Sequence, residues 1–277
     1  MAETQAFTTE DVEYLRRGDK PLLARLYRPQ GAGPHPAVVE VHGGAWTTND
    51  RLANVVIDEA LARAGVFVMA VDFRMPPEAQ YPASMVDINY AIRWLKLRAA
   101  EFGIHPNNIG GLGTSSGGHQ IMLSTLRPRD ATYSATRLPG GELFDASLAY
   151  IVLCWPITDP LARYRMVTEN GNTRLAEAHR AYWPDEAAMA DGNPQLILER
   201  GEATSLPPAL ELQGTNDDNV VPDMADRFAA AYRQAGGTIE LVKFPGAPHA
   251  FTAREPDSEH AAKALDLITA FVRRQGA

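Results

Sequence analysis

A serine framed by two glycines is the strongest chemical signal in the chain. Ser115 lies in Gly113-Thr114-Ser115-Ser116-Gly117, with a glycine two positions before it and another two positions after it. Missing Cβ atoms at those two positions let the backbone turn sharply from a strand into a helix, and such a turn presents a serine hydroxyl as a nucleophile. Ser116 does not fit the pattern, because the residue two before it is the branched Thr114. We therefore predict that Ser115 is an exposed nucleophile.

A serine hydroxyl is a weak nucleophile unless a base removes its proton and an acid orients that base. Asp217 and His249 each follow an apolar run that reads as a strand, as Ser115 does. In a parallel sheet the carboxyl ends of the strands meet at one edge, so these three side chains are expected to lie together there. His249 would act as general base and then general acid, and Asp217 would fix its tautomer and stabilise the imidazolium.

Four aspartates are candidates for the acid that orients His249. Asp217 and Asp218 are adjacent, so a shift of one residue in the loop would exchange their positions. The spacing to Gly214-Thr215 favours Asp217. Asp72, at the end of a predicted strand, and Asp159, further along the chain, are weaker alternatives.

The segments that must position these side chains alternate between short apolar runs and amphipathic stretches. This alternation predicts an α/β fold with a parallel sheet covered by helices, preceded by an antiparallel hairpin over 11–27. The later strands are predicted at 37–41, 66–71, 109–113, 150–155, 209–213 and 239–244. The helices are predicted at 52–64, from a capping box at Ser84-Met85-Val86-Asp87 to Phe102, from Ser116, at 222–235 and at 258–274.

An insertion separates two of the predicted strands. About fifty residues lie between Trp155 and Ala209, far more than a crossover needs. We expect residues 159–200 to form a small cap over the carboxyl edge of the sheet, within a single domain spanning 1–277.

Together these features resemble the α/β-hydrolase fold serine esterases of the hormone-sensitive-lipase and carboxylesterase type. The order Ser115, Asp217, His249 along the chain is that of α/β-hydrolases, and differs from the orders in chymotrypsin and subtilisin. The resemblance covers nearly the whole chain. It is carried also by His42-Gly43-Gly44-Ala45-Trp46, Asp72-Phe73-Arg74-Met75-Pro76-Pro77-Glu78, Tyr81-Pro82-Ala83 and Pro248-His249-Ala250-Phe251. Small bacterial esterases and arylformamidases share such a His-Gly-Gly-x-Trp motif.

The resemblance implies roles for further residues. It places oxyanion-hole donors at the backbone N–H groups of Gly44, Ala45 and Ser116. Trp46 and Phe251 adjoin these motifs and are expected either to line the substrate pocket or to pack in the aromatic core.

The histidines outside the proposed triad are expected to be structural. His42 should hydrogen-bond the backbone of the loop formed by residues 42–46, called the oxyanion loop below, and His119 should be packed or hydrogen-bonded beneath the site. The others, which lie in polar or loop sequence, are expected to face water: His35, His105, His179 and His260.

The chain also departs from the family pattern at two places. Thr114 and Ser116 stand where the family often has an acidic residue and alanine, which changes the polar surroundings of the elbow, the strand-to-helix turn at residues 113–117. After Asp217, the ending Asn219-Val220-Val221-Pro222 has one residue more than the common Asp-x-x-Val-Pro pattern.

The predicted activity is the hydrolysis of carboxylic esters, short-chain or aromatic, through an acyl-enzyme on Ser115. An amidase or arylformamidase is the alternative enzyme, and a small-molecule receptor on the same fold is the alternative outside catalysis. The intact His249 loop disfavours a receptor. No cofactor and no metal ion is implied.

The composition of the chain limits the kinds of molecule that it is expected to bind. The chain has 26 basic and 34 acidic residues, net −8, so it lacks a basic footprint for nucleic acid or an anionic membrane. Met1–Glu10 is acidic and has no apolar run of the secretory kind, and no stretch approaches eighteen apolar residues. We therefore expect a cytoplasmic protein that acts on a small-molecule ester. The single cysteine, Cys154, excludes an intramolecular disulfide and is expected to be buried.

Overall fold

A single eight-stranded sheet organises the computed structural model, which describes residues 5–276. The strand order is β1-β2-β4-β3-β5-β6-β7-β8; β3 to β8 pair in parallel, and β1 and β2 pair antiparallel at one edge. The strands are β1 (Phe7–Arg17), β2 (Lys20–Pro29), β3 (His35–Val41), β4 (Phe67–Val71), β5 (Ile104–Thr114), β6 (Ile151–Cys154), β7 (Ala209–Gly214) and β8 (Ile239–Phe244).

Ten helices lie in the described part of the chain. They are α1 (Val55–Arg63), α2 (Ala83–Leu97), α3 (Ser116–Leu126), α4 (Pro160–Glu169), α5 (Thr173–Tyr182), α6 (Glu186–Asp191), α7 (Pro194–Glu199), α8 (Met224–Gln234), α9 (Phe251–Arg254) and α10 (Glu259–Gln275). None of those within residues 5–276 is long and apolar enough to cross a membrane. The first four residues of the N-terminal stretch Met1–Glu10 lie outside the described residues.

The predicted hairpin and strands are confirmed. Helices cover both faces of the parallel strands, so strand residues of either parity are buried, as in β4, where all five residues are. Cys154 at the end of β6 is fully buried, as predicted. Strand β5 begins at Ile104, five residues earlier than predicted, because His35 of β3 already pairs with it there.

The predicted capping box is wrong. Helix α2 begins after Pro82, and its side chains at the first turn make tertiary contacts instead of capping the helix. Ser84 Oγ lies 2.8 Å from the Tyr182 hydroxyl. The buried Asp87 carboxylate accepts hydrogen bonds from Arg17 and Arg74, at 2.7 and 2.8 Å. The pattern of serine followed by an acid thus reflects contacts distant in sequence.

Other helix boundaries differ from the predictions by a few residues. Helix α1 begins at Val55, because the Leu52 N–H donates to the Asp50 side chain and turns the chain before the helix. Helix α2 ends at Leu97, and the chain continues through turns to Gly103, which has φ +64°. Helix α8 starts after a turn at 221–224, two residues later than predicted, and the short α9 was not predicted.

Residues 159–200 contain four helices, α4 to α7, between β6 and β7. An Asp or Asn side chain accepts a backbone N–H at the start of each helix, which satisfies one of the donors left unpaired there. The four residues are Asp159, Asn172, Asp185 and Asn193.

Replacing Asp87 tests the ion pairs that fix α2 to the hairpin through Arg17 and to the segment after β4 through Arg74. We expect Asp87→Asn to lower the free energy of unfolding by about 3 kcal/mol, because two arginines lose a buried partner. The exposed Glu101, paired with Arg98 at 2.9 Å, provides the control, and Glu101→Gln should cost less than about 1 kcal/mol. Urea unfolding of both variants measures this; equal small losses would contradict the assigned role of Asp87.

Candidate active site

The turn between β5 and α3 holds Ser115 in a strained conformation. Its φ is +52° and its ψ is −119°, a region that non-glycine residues rarely adopt. The glycines act through close contact: a Cβ at Gly113 would lie 2.5 Å from the Gly117 oxygen, and one at Gly117 would lie 2.0 Å from the Val41 oxygen. Both glycines are therefore required by space, whereas the positive φ of the turn lies on the serine.

Ser115, His249 and Asp217 form a continuous hydrogen-bonded chain. Ser115 Oγ lies 2.8 Å from His249 Nε2, and His249 Nδ1 lies 2.7 Å from Asp217 Oδ2. Ser115 lies at the elbow, His249 in the loop after β8 and Asp217 in the loop after β7. The sequence predicted that these three side chains would lie together. Ser115 is only 9% exposed, less than expected, and lies in a cavity that residues of the oxyanion loop and of helix α5 also line.

Asp217 is held as a carboxylate. Burial raises its pKa, but hydrogen bonds from His249, the Gln213 side chain and the Asn219 backbone together bring the pKa below its ordinary value. A carboxylate at this position accepts the Nδ1–H of His249 and leaves Nε2 free to accept the serine proton.

The other three aspartates considered for the acid are not bonded to His249. Asp218 is exposed. Asp72 accepts two hydrogen bonds from Arg51, both at 2.9 Å, and Asp159 caps α4 and accepts from Asn193 at 2.8 Å.

The oxyanion loop presents two unused backbone donors. Gly44 has φ +124°, and a Cβ there would lie 2.2 Å from the Thr48 oxygen; Ala45 follows with φ +50°. Neither N–H donates to a backbone or side-chain acceptor within residues 5–276. Gly44, Ala45, Ser115 and His249 border one cavity of about 200 Å³. This is the arrangement that a developing oxyanion requires.

The two residues that depart from the family pattern fasten this loop to the elbow. Gly43 N–H donates to Thr114 Oγ1 at 3.0 Å, and Trp46 N–H donates to Ser116 Oγ at 3.1 Å. Thr114 also accepts from Asn54 at 3.1 Å. The hydroxyls therefore set the spacing between nucleophile and oxyanion donors.

Trp46 and Phe251 do not line the cavity at Ser115 in the structure, so the pocket-lining alternative is not supported for them. Trp46 is 1% exposed and stacks on Tyr182 with ring centroids 5.3 Å apart, while its Nε1–H donates to His119 at 3.1 Å. Phe251 is fully buried and packs against Trp155 at 4.9 Å. Both belong to the aromatic packing.

His42 and His119 have the expected structural contacts. His42 Nδ1–H donates to the Gly43 oxygen at 2.7 Å, and the ring stacks on Phe73. His119 donates through Nε2 to the Gly192 oxygen at 2.8 Å, and burial lowers its pKa to about 4, so it is neutral.

The prediction that His179 faces water is wrong. The sequence around it is polar, but the ring is fully buried, its Nε2 accepts from Arg163 Nη1 at 3.0 Å, and it meets Trp46 edge-on. Among the other histidines, His105 is exposed, whereas His35 and His260 are half-buried.

Arg163 is a residue of the site that the sequence did not predict. It is fully buried at the wall of the cavity, and its Nε donates to the Asn219 oxygen at 2.8 Å. Asn219 N–H in turn donates to Asp217 Oδ1 at 2.8 Å. Arg163 therefore connects α4 to the loop of the acid. No short-range pattern marks this role, because it depends on a contact across 56 residues.

A model of the BD-FAE family matches residues 25–231, which is more than half of the chain and includes the elbow and Asp217. The chain belongs to the BD-FAE family. The α/β-hydrolase fold and the resemblance to carboxylesterases of the hormone-sensitive-lipase type are confirmed by this match together with the proteins that follow.

Two curated relatives and one solved structure show what this BD-FAE chain is similar to. Esterase LipQ of Mycobacterium tuberculosis (strain ATCC 25618 / H37Rv) is 28% identical over 98% of this chain and 65% of LipQ. The ethyl acetate hydrolase of Pseudomonas putida is 28% identical over 93% of this chain and 80% of that protein. The propionate-bound esterase Est2 of the planctomycete Thermogutta terrifontis has a TM-score of 0.78 and 26% identity, covering 97% of this chain and 94% of Est2. The chain thus spans less than two thirds of LipQ.

The choice between Asp217 and Asp218 is directly testable in this BD-FAE chain. We expect Asp217→Asn to lower kcat on p-nitrophenyl acetate by about 10⁴-fold, because the asparagine amide favours the wrong His249 tautomer. The adjacent and exposed Asp218→Asn is the matched control and should stay within about threefold of the parent chain. A larger loss in Asp218→Asn would reassign the acid.

Proposed function

We propose that this chain hydrolyses carboxylic esters through an acyl-enzyme on Ser115. The observation that carries the proposal is the hydrogen-bonded chain from Asp217 through His249 to Ser115, which ends beside two unused backbone donors. Nucleophile, base, acid and oxyanion donors are the parts that acyl transfer needs. The esterase names of the relatives support the same activity.

Each of these groups acts in a defined step of the reaction. His249 Nε2 takes the Ser115 proton as Oγ bonds to the ester carbonyl carbon, and the N–H groups of Gly44, Ala45 and Ser116 stabilise the oxyanion. The imidazolium then gives its proton to the departing alcohol as the C–O bond breaks. Water, deprotonated by His249, attacks the acyl group and releases the acid, and Ser115 Oγ recovers its proton.

We propose short-chain or aromatic esters as the substrates. The cavity of about 200 Å³ is smaller than typical pockets for drug-sized ligands, which favours small acyl groups. Arg174 and Leu175 of α5 border it, which supports a cap formed by residues 159–200 within a single domain over 1–277. The names of an ethyl acetate hydrolase and of a propionate-bound esterase agree with this size. The cytoplasmic location stays a prediction.

Substrate comparison tests the proposal. We expect hydrolysis of p-nitrophenyl acetate and butyrate to exceed that of p-nitrophenyl laurate and of N-formyl anilides in kcat/KM, because a short acyl group fits within the cavity of about 200 Å³, whereas a laurate chain must extend beyond it. A decisive preference for the anilides would establish the amidase or arylformamidase alternative.

A fluorophosphonate probe tests the nucleophile. We expect labelling of Ser115 by mass spectrometry, and a loss of about 10⁶-fold in kcat in Ser115→Ala. The control Ser134→Ala alters a serine that does not line the cavity and should keep both activity and labelling. Folded wild-type chain that takes no label and hydrolyses no ester would favour the receptor alternative.

A further inference from the structure

The cavity at Ser115 has positive charge on its wall and no carboxylate. Arg163 and Arg174 are its arginines, and no aspartate or glutamate among the described residues lines it. The chain as a whole has a formal net charge of −8. A positive cavity in a negative protein concentrates anionic small molecules against the overall field.

Arg174 is the accessible charge. It is the second residue of α5, is exposed, and forms no ion pair with another residue in the range 5–276. It lies where the Ser115 cavity meets a larger neighbouring groove of about 630 Å³. A group reaching from Ser115 toward the groove would therefore pass Arg174.

Arg163 adds a second, buried charge behind the wall. Its guanidinium donates to the Asn219 oxygen, the Asn219 side chain and His179, and has no carboxylate partner in the described chain. Burial lowers its pKa to about 9, which leaves it protonated at neutral pH. Its surroundings screen the charge weakly, so its field extends into the cavity.

The nearest acidic groups lie outside the cavity lining. Asp217 is bonded to the edge of His249 opposite Ser115, and its negative charge offsets part of the Arg163 charge without lining the cavity. Glu177 lines the neighbouring groove and not the cavity. The groove therefore carries both signs, whereas the cavity wall is positive.

We propose that the esters hydrolysed at Ser115 carry a carboxylate, in either the acyl or the alcohol part, that pairs with Arg174 in the field of Arg163. This inference rests on the proposed ester hydrolysis and names its substrate class. A guanidinium can bind a carboxylate through two parallel hydrogen bonds, which fixes orientation as well as charge. The carboxylate takes no part in the bond changes, which remain those of acyl transfer to Ser115 and then to water.

Two matched ester pairs test the proposal. Monomethyl succinate and methyl levulinate differ at the acyl end by a carboxylate oxygen in place of a methyl group. 4-Acetoxybenzoate and 4-acetoxybenzamide make the same comparison on the alcohol side. The measured quantity is the anionic-to-neutral ratio of kcat/KM within each pair, in wild type and variants, so that intrinsic differences in ester reactivity cancel.

We expect Arg174→Gln to lower this ratio about tenfold or more in at least one pair, the scale of a lost charge-assisted hydrogen bond. Arg163→Gln should lower it in the same pair, and Arg163→Lys should lower it less because the charge is kept. Arg180→Gln removes an exposed arginine of the same helix that does not line the cavity, and should leave the ratio unchanged.

The outcomes separate this inference from the proposed function. Neutral esters hydrolysed with an unchanged ratio in Arg174→Gln would overturn the inference alone, whether or not the Arg163 variants fold. An equal fall in Arg180→Gln would also overturn it, because net charge would then explain the effect. If wild type hydrolyses none of the four esters and takes no fluorophosphonate label, the proposed function fails and this inference with it.

Discussion

The strained backbone of Ser115 is the constraint around which the site is built. A non-glycine residue at φ +52° costs on the order of 1–3 kcal/mol and persists only where its neighbours fix it. Here the Ser115 N–H donates to the Cys154 oxygen at 2.9 Å, and its carbonyl accepts from His119 and Ile157 at 3.2 Å each. Strand β6, the start of α3 and the loop after β6 therefore all hold this one residue.

The remaining parts are set relative to that turn by short polar contacts. Thr114 and Ser116 hold the oxyanion loop at both sides of the nucleophile, and the strands β7 and β8 deliver the acid and the base to the same sheet edge. Arg163 joins the inserted helices to the acid loop through Asn219. Placement of α4 and geometry of the triad are thereby physically connected.

The sequence predicted those features that arise from local patterns. Apolar runs gave the strands, and the residues just after them gave Ser115, Asp217 and His249, because chain direction in a parallel sheet determines which ends meet. The glycines at 113 and 117 could be read correctly as a need for space. The glycine spacing alone did not show that the positive φ lies on the serine itself.

Features that depend on contacts between residues distant in sequence could not be predicted from the sequence. Ser84 and Asp87 have capping-box spacing, yet Tyr182, Arg17 and Arg74 engage them. His179 sits among polar neighbours along the chain but is buried against Trp46 by the fold. In each case a side chain had two possible uses, and tertiary packing decided between them.

Detection of an acyl-enzyme on Ser115 distinguishes covalent catalysis from direct attack of water on the ester. The chain is mixed with p-nitrophenyl butyrate, quenched in acid within the first turnovers, and analysed by intact-protein and peptide mass spectrometry. We expect one added butyryl group, located on Ser115 in the wild-type chain, and no accumulation of this group in His249→Ala. Turnover of the ester with no adduct, or with the adduct on another residue, would contradict covalent catalysis through Ser115.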